Sequence, residues 1–445
     1  MKHLVSTLYH TDWDEFSKET IQSAKFVLLD TIAAMVAGIQ QKECQQLLEE
    51  LVGEDIGRFA IIGTCYKTSL YHSAFLHGTA GVATEMDEGN QYSKGHPAAH
   101  VVPVLITYVQ KKENYSGKNF LSVLIKAYEA CSRFGRATTL HSEAHAHGTW
   151  GVMGAAASTF LLENVSEEEM IEGLNISATF ALPTMWNAAL EGAMIRNIYA
   201  GHAIEMGIKS LSLLRTGHYA PKRNIEYVYS SILGSEFDET ALIRQKDDLW
   251  DIEQNYYKPY AFCRYTHAPI DAFVSIIDQH QLSIDEITKV SVSTYSRAAT
   301  LCNKEYHNAL SAKFSIPYAL AVWLKTKKAD ETIFTDELLK DKDIKEFANK
   351  VNVINSSTLE KDYPKVMPAV VEIETTSRKV YQERIDIAKG GPNKKLTEQE
   401  LTTKFCKLTE EVFDRQQQEL IIDWIMNIEE KQDMAELIEL CQKRQ

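Results

Sequence analysis

The chain has 445 residues, 44% of them hydrophobic and 24% charged, and its 47 basic against 61 acidic residues give a formal net charge of −14. This is the composition of a folded globular protein of two or three domains. The acidic balance argues against general nucleic-acid binding, and it requires that any pocket for an acid be a local concentration of Arg, Lys and His.

The seven cysteines (Cys44, Cys65, Cys131, Cys263, Cys302, Cys406 and Cys441) are scattered, odd in number and form no CxxC. That argues against a disulfide framework and against a closely spaced zinc or iron–sulfur site, and it fits a reducing, cytoplasmic setting. Residues 1–20 carry acids and no long apolar run, so they do not read as a signal peptide. Thr11 can cap a short first helix, and 17–39 shows helical apolar spacing. Its most apolar part, 26–39, contains Asp30 and is too short to cross a bilayer, so a buried helix and no membrane partner are expected. Ser166 followed by Glu169 is a capping box. Small residues at helical spacing, as in 154–158 and 199–203, let helices approach closely.

The pattern changes after about residue 280. Residues 288–295 alternate, with Val290 and Val292 on one face, and 351–354, 369–375 and 379–387 also read as strands. Helical stretches at 311–325 and 336–350 lie between them. Gly390, Gly391 and Pro392 break the pattern, and the Thr397/Glu400 capping box opens helices that run to the end. The expected fold is mainly α with an α+β lid: a discontinuous all-helical domain of 1–268 and 393–445, and a smaller α+β domain of 269–392.

Four stretches could carry chemistry. Residues 85–100 hold Glu85, Asp87, Glu88, His96 and His100 in a polar loop between buried elements, with His96-Pro97 readable as a helix start whose proline takes the first helical position. A solvated loop is the plain alternative. His96 and His100 have the i, i+4 spacing of metal ligands but no HExxH-type glutamate beside them. His141, His145 and His147 fall in seven residues before a Gly-rich helix start; they read as a metal tract, as one acid–base histidine with polar neighbours, or as a His-rich surface loop. Lys258, Arg264, His267 and Asp271 lie among aromatics at the expected domain junction, a favoured ligand position. Arg196 sits in an apolar, small-residue stretch and needs an anion, either an internal partner or a ligand.

Together these stretches resemble the MmgE/PrpD family over nearly the whole chain, in the family's own order. Residues 77–80 through His96-Pro97 resemble its NG-x-x-x-H…D-x-D-D…HP stretch, and 145–151 its H-P-T-G-T-F-G stretch, which places the family's catalytic histidine on His145. Residues 196–201 resemble K-x-L-H-x-G, 258–271 resemble F-K-x-Y-P…H…ID, and 313–318 resemble FS-x-x-Y. The resemblance implies an all-helical domain built from both chain ends, a smaller α+β lid and a homodimer. It implies a metal-independent, cofactor-free lyase of a small di- or tricarboxylate. His145, Asp87, His96 and Tyr318 are then the catalytic candidates, and Arg196, Lys258, Arg264 and His267 the substrate-binding ones. Dehydration of a 2-methylcitrate-like acid ranks first; decarboxylation of the cis-aconitate type, epimerisation of a dicarboxylate, or metabolite binding without turnover are the alternatives. Two departures stand out: the family's acidic run becomes Asp87-Glu88-Gly89-Asn90, one residue shorter before His96, and its lysine becomes Arg196, which can grip a carboxylate but cannot readily exchange a proton.

Overall fold

In the computed structural model, which describes residues 1–54 and 57–443, the chain divides into two compact units. One combines Met1–Met185, Asn197–Asn255 and Thr397–Gln445; the other combines Trp186–Arg196 and Tyr256–Leu396. The first is helical, the second mixed, so the fold is mainly α with a smaller α+β part.

The first unit is built around the helix Lys18–Ile39, which starts where the Ser17 side chain accepts the Thr20 amide at 3.0 Å. By length and composition this helix could cross a membrane, longer than the apolar run 26–39 suggests, yet 72% of its most apolar window is buried inside the protein. It packs against Leu70–Ala83 and, from the far end of the chain, Glu398–Thr409. Small residues make the contact close: a Cβ on Gly38 would stand 1.8 Å from the Ala80 carbonyl oxygen. Likewise Gly78 faces Gly201 where Leu70–Ala83 meets Ile198–Arg215. Both expected capping boxes form: Ser166 with Glu169, and Thr397 with Glu400, each side chain receiving the other residue's amide.

A four-stranded sheet organises the second unit. Its spatial order is Val351–Asn355, Ile287–Thr294, Ala369–Thr375, Val380–Ile385; the first pair is parallel and the others antiparallel. Val290 and Val292 pair with Ile373 and Val371 in register, and all four point into one apolar core with residues of His267–His280, Ile316–Thr326 and Lys342–Lys350. Phe262 and Cys263 belong to that same core, as do Trp186 and Ala189. This packing is why the unit begins at Tyr256 and takes in 186–196, where the sequence pattern suggested 269–392.

Local punctuation corrects several expected bounds. Thr11 does not open the first helix but ends it, since that helix is Lys2–His10. Pro97 is the residue before the helix Ala98–Tyr108 rather than its first. The stretch 311–325 is two helices, Ala309–Lys313 and Ile316–Thr326, because the Ser315 side chain caps the second by accepting the Tyr318 amide at 3.1 Å. Asp341 splits 336–350 in the same way, accepting the Ile344 amide at 3.0 Å.

One buried ion pair joins the ends of the chain in the first unit. Lys404 Nζ lies 2.6 Å from Asp30 Oδ1 and 2.7 Å from the Met86 carbonyl. Removing one partner of a buried pair strands the other charge. Lys404→Met should therefore lower unfolding stability by about 3–5 kcal/mol in chemical denaturation, and Asp30→Leu added to it should recover more than half of the loss. A single-variant loss under about 1 kcal/mol would show that the pair does not hold the unit together.

Candidate active site

The loop after Leu70–Ala83 is shaped by its own polar atoms. Asn90 and Gly95 bond through both backbone pairs, at 2.8 and 3.3 Å, closing a tight turn. Asn90 Oδ1 accepts the amides of Tyr92 and Ser93, and its Nδ2 donates to the Asp251 carbonyl at 2.9 Å. Asp251 takes both prongs of Arg136 at 2.7 and 2.6 Å, and its amide donates to Glu129 at 2.7 Å. The run that reads as a solvated acidic loop is therefore an interior structure, with Asp87, Glu88 and Asn90 all buried.

His96 leaves this turn with its imidazole facing back. Its Nδ1 lies 2.6 Å from the Glu88 carbonyl and 2.8 Å from Asp87 Oδ2. Both neighbours are acceptors, so Nδ1 carries the hydrogen and Nε2 is the lone-pair nitrogen of the neutral ring. His100, one helical turn on, donates from Nδ1 to the His96 carbonyl at 3.0 Å. Burial lowers its pKa to about 4, so it stays neutral. His77, which opens the family-like stretch, is likewise structural: its Nε2 accepts the Ile62 amide at 2.9 Å, and burial lowers it to about 3.

The His-rich segment meets this loop. Gly148, at φ +80°, turns the chain sharply into Gly151–Glu163. The turn brings three imidazoles into a column, with His147 in the middle: His96 and His145 each lie 4.9 Å from it, at interplanar angles of 19° and 17°. The His147 amide donates to His145 Nδ1 at 3.0 Å. In the neutral ring that puts the His145 hydrogen on Nε2, so this histidine is presented as a donor. Thr184 Oγ1 donates to the His145 carbonyl at 2.7 Å and helps hold it.

Glu88 completes the cluster. Tyr128 donates its hydroxyl to Glu88 Oε1, and the Ala98 amide reaches Oε2 at 3.3 Å. Burial nonetheless pushes the Glu88 carboxyl up to about 8, so it is mostly protonated near neutrality.

The structure thus brings Asp87, His96 and His145 together in the first unit. His147 and Glu88, not among the expected site residues, stand with them; the signal for His147 was the three-histidine run itself. In the second unit Arg264 and His267 form one cluster. Arg264 donates to the carbonyls of Lys389 and Ala388 at 2.9 and 3.2 Å, faces the Tyr256 ring at 4.7 Å, and reaches His267 Nδ1 at 3.3 Å. His267 Nε2 in turn faces the Phe262 carbonyl. These contacts fit a framework role for both. Tyr318 is a core residue whose hydroxyl donates to the Ile333 carbonyl at 2.7 Å and whose ring packs on Tyr306. Arg196 is buried with its guanidinium 5.5 Å from the Phe314 ring centre, and Lys258 is fully buried. A divalent ion has one geometric candidate among the described residues: ligand atoms of Asp87, His96 and His147 lie within 4.8 Å of one another.

The sequence matches two family models: the MmgE/PrpD N-terminal domain over residues 2–231 and the MmgE/PrpD C-terminal domain over 260–429. It is also 22% identical, over 455 residues, to the cis-aconitate decarboxylase-like protein oryM of Aspergillus oryzae, covering 95% of this chain and 93% of that protein.

Glu88 gives a signed test. Its folded pKa lies above the ordinary 4.5, so its contribution to stability is present below about 4.5 and is lost as pH rises through about 8. Glu88→Gln removes that loss, so the variant's melting temperature relative to the parent should improve by a few degrees between pH 5.5 and pH 8.5. A pH-independent difference would place an ionised carboxylate at this position throughout.

Proposed function

The chain belongs to the MmgE/PrpD family, and from that premise we propose a lyase that eliminates water from a hydroxylated di- or tricarboxylate of the 2-methylcitrate type. The observation that carries this reading is the Asp87–His96 pair. A hydrogen beside a carboxylate is weakly acidic, and removing it needs a base whose conjugate acid is stabilised. His96 offers Nε2 as the base, while Asp87 and the Glu88 carbonyl hold Nδ1–H and favour the imidazolium that forms. His145 donates Nε2–H to the departing hydroxyl as a fixed neutral donor, and the proton that His96 takes from carbon is passed to that oxygen, so the C–O bond breaks with loss of water. Arg196 and Lys258, which match cationic positions of the family motifs, are the proposed carboxylate ligands.

Decarboxylation is the second reading, favoured by the name of the Aspergillus relative. Loss of carbon dioxide needs stabilisation of a carbanion and then an acid, not an initial base. The two reactions separate in one experiment: incubate the protein with 2-methylcitrate, citrate and cis-aconitate, and follow alkene absorbance and gas release together. Alkene without carbon dioxide is expected. Stoichiometric carbon dioxide from cis-aconitate would install the decarboxylase, and tight binding without turnover of any acid would indicate a metabolite-binding protein.

The two histidines should separate by variant. His96→Asn should lower turnover about a hundredfold or more, the scale of a lost general base. His145→Ala should also lose about a hundredfold, as when an oxyanion donor is removed. His145→Gln keeps an N–H and should lose only about tenfold, one ordinary hydrogen bond. Equal losses for Gln and Ala at position 145 would make His145 a proton-transfer group instead.

A further inference from the structure

We propose that Asp87, His96 and His147 bind one divalent transition ion of the zinc class, and that the bound ion switches the enzyme off. The first half stands on geometry alone; the second rests on the acid–base reading of Asp87 and His96 given above.

Two imidazoles and one carboxylate form a donor set that suits zinc and its neighbours, whereas magnesium and calcium prefer oxygen ligands. The three ligand atoms already lie within 4.8 Å of one another. Around a tetrahedral ion with bonds of about 2.0–2.1 Å they would stand on the order of 3.3 Å apart, so the rings need tilt by no more than roughly 1.5 Å at their edges. Asp87 and His147 are buried, and His147 is packed between two other imidazoles, so little rotamer freedom is lost on coordination. His96 Nδ1 already stands 2.8 Å from Asp87 Oδ2, so an ion bound by both takes the place of the hydrogen on Nδ1. His147 stands where the family's H-P-T-G-T-F-G stretch has threonine, so the third ligand is a feature of this chain.

Three protein ligands leave a fourth position for water or a carboxylate. An ion held there takes the Asp87 carboxylate and the His96 Nδ1 lone pair together, which leaves the ring hydrogen on Nε2. The base is then lost, although a substrate acid can still be gripped. The ion acts as an inhibitor that a chelator reverses.

The test uses the full chain, stripped with chelator and dialysed. Titration with Co2+ should give visible ligand-field absorption that saturates at one ion per chain and disappears when Zn2+ displaces it. X-ray absorption at the cobalt edge should report two imidazoles. His147→Thr and the isosteric Asp87→Asn, each checked for folding by circular dichroism, should weaken binding at least tenfold. Sub-stoichiometric binding, an edge spectrum without imidazoles, or unchanged affinity in either folded variant would overturn the site. If the variants do not fold, the edge spectrum of the parent decides. Turnover of the acid identified above should fall with Zn2+ and return with chelator. Full turnover with the ion bound, or turnover that requires it, would overturn the switch and leave the site standing. Absence of any turnover in the stripped protein would instead count against the lyase reading, and the cobalt data would be unaffected.

Discussion

The position of the site depends on a buried cation that arrives from the far end of the chain. Lys404 reaches Asp30 on the longest helix and the Met86 carbonyl next to Asp87. A lone lysine in that interior would be costly, and so would a lone aspartate. Each makes the other tolerable, and the carbonyl takes a further N–H. The helix Glu398–Thr409 is thereby a structural part of the loop that carries the chemistry. The second half of the loop is fixed by another buried network, from Asn90 through Asp251 to Arg136 and Glu129. Between these two anchors Asp87 and Glu88 have little freedom, which is the preorganisation that acid–base chemistry requires.

The histidine column has a different physical basis. Three imidazoles stacked at about 5 Å cannot all be charged, because like charges at that range in a poorly screened interior repel by several kcal/mol. The backbone decides which nitrogen of each neutral ring carries the hydrogen. His145 accepts an amide at its Nδ1, and His96 has acceptors around its Nδ1, so the two neutral rings carry their hydrogens on opposite nitrogens. A sequence rich in histidine thus becomes an ordered pair of roles, one donor and one base, with His147 as the spacer that fixes their planes.

Much of the fold was legible because it is written in short-range chemistry. The capping boxes at Ser166 and Thr397, the alternation of 288–295 and the switch from helical to strand periodicity near residue 280 each follow from hydrogen bonding or packing within a few residues. The helix breaks at Ser315 and Asp341 were missed because a serine in an apolar run, or an aspartate in a charged one, reads equally well as a solvent-facing residue, until its side chain is seen to cap an amide. The edges of the second unit were missed for a longer-range reason: Trp186 and Phe262 look like any buried aromatics, and only the contacts they make assign them to the sheet's core. At the site, the motifs pointed to Asp87, His96 and His145. They could not reveal that the 85–96 loop is interior, that Glu88 is desolvated, or that His147 lies between the other two rings, since these depend on partners distant in sequence, such as Tyr128, 40 residues from Glu88, and Asp251, 161 from Asn90.

The two adjacent carboxyls show how such partners create function. Asp87 and Glu88 are chemically alike and neighbours in sequence, yet their surroundings push them apart. Asp87 faces the His96 Nδ1 at 2.8 Å. Glu88 is buried, near Asp87 and Asp30, with only a phenol and one amide to stabilise a charge, and it holds its proton to about pH 8. Two ionised carboxylates beside the base would repel an anionic acid twice over. With Glu88 neutral, that second repulsion is absent. The local field is therefore less repulsive where negative charge builds up on a substrate that already carries carboxylates. Separation of two like groups by environment is a general route to assigning acid and base roles. Here it explains how a chain of net charge −14 can accommodate proton abstraction from an anion.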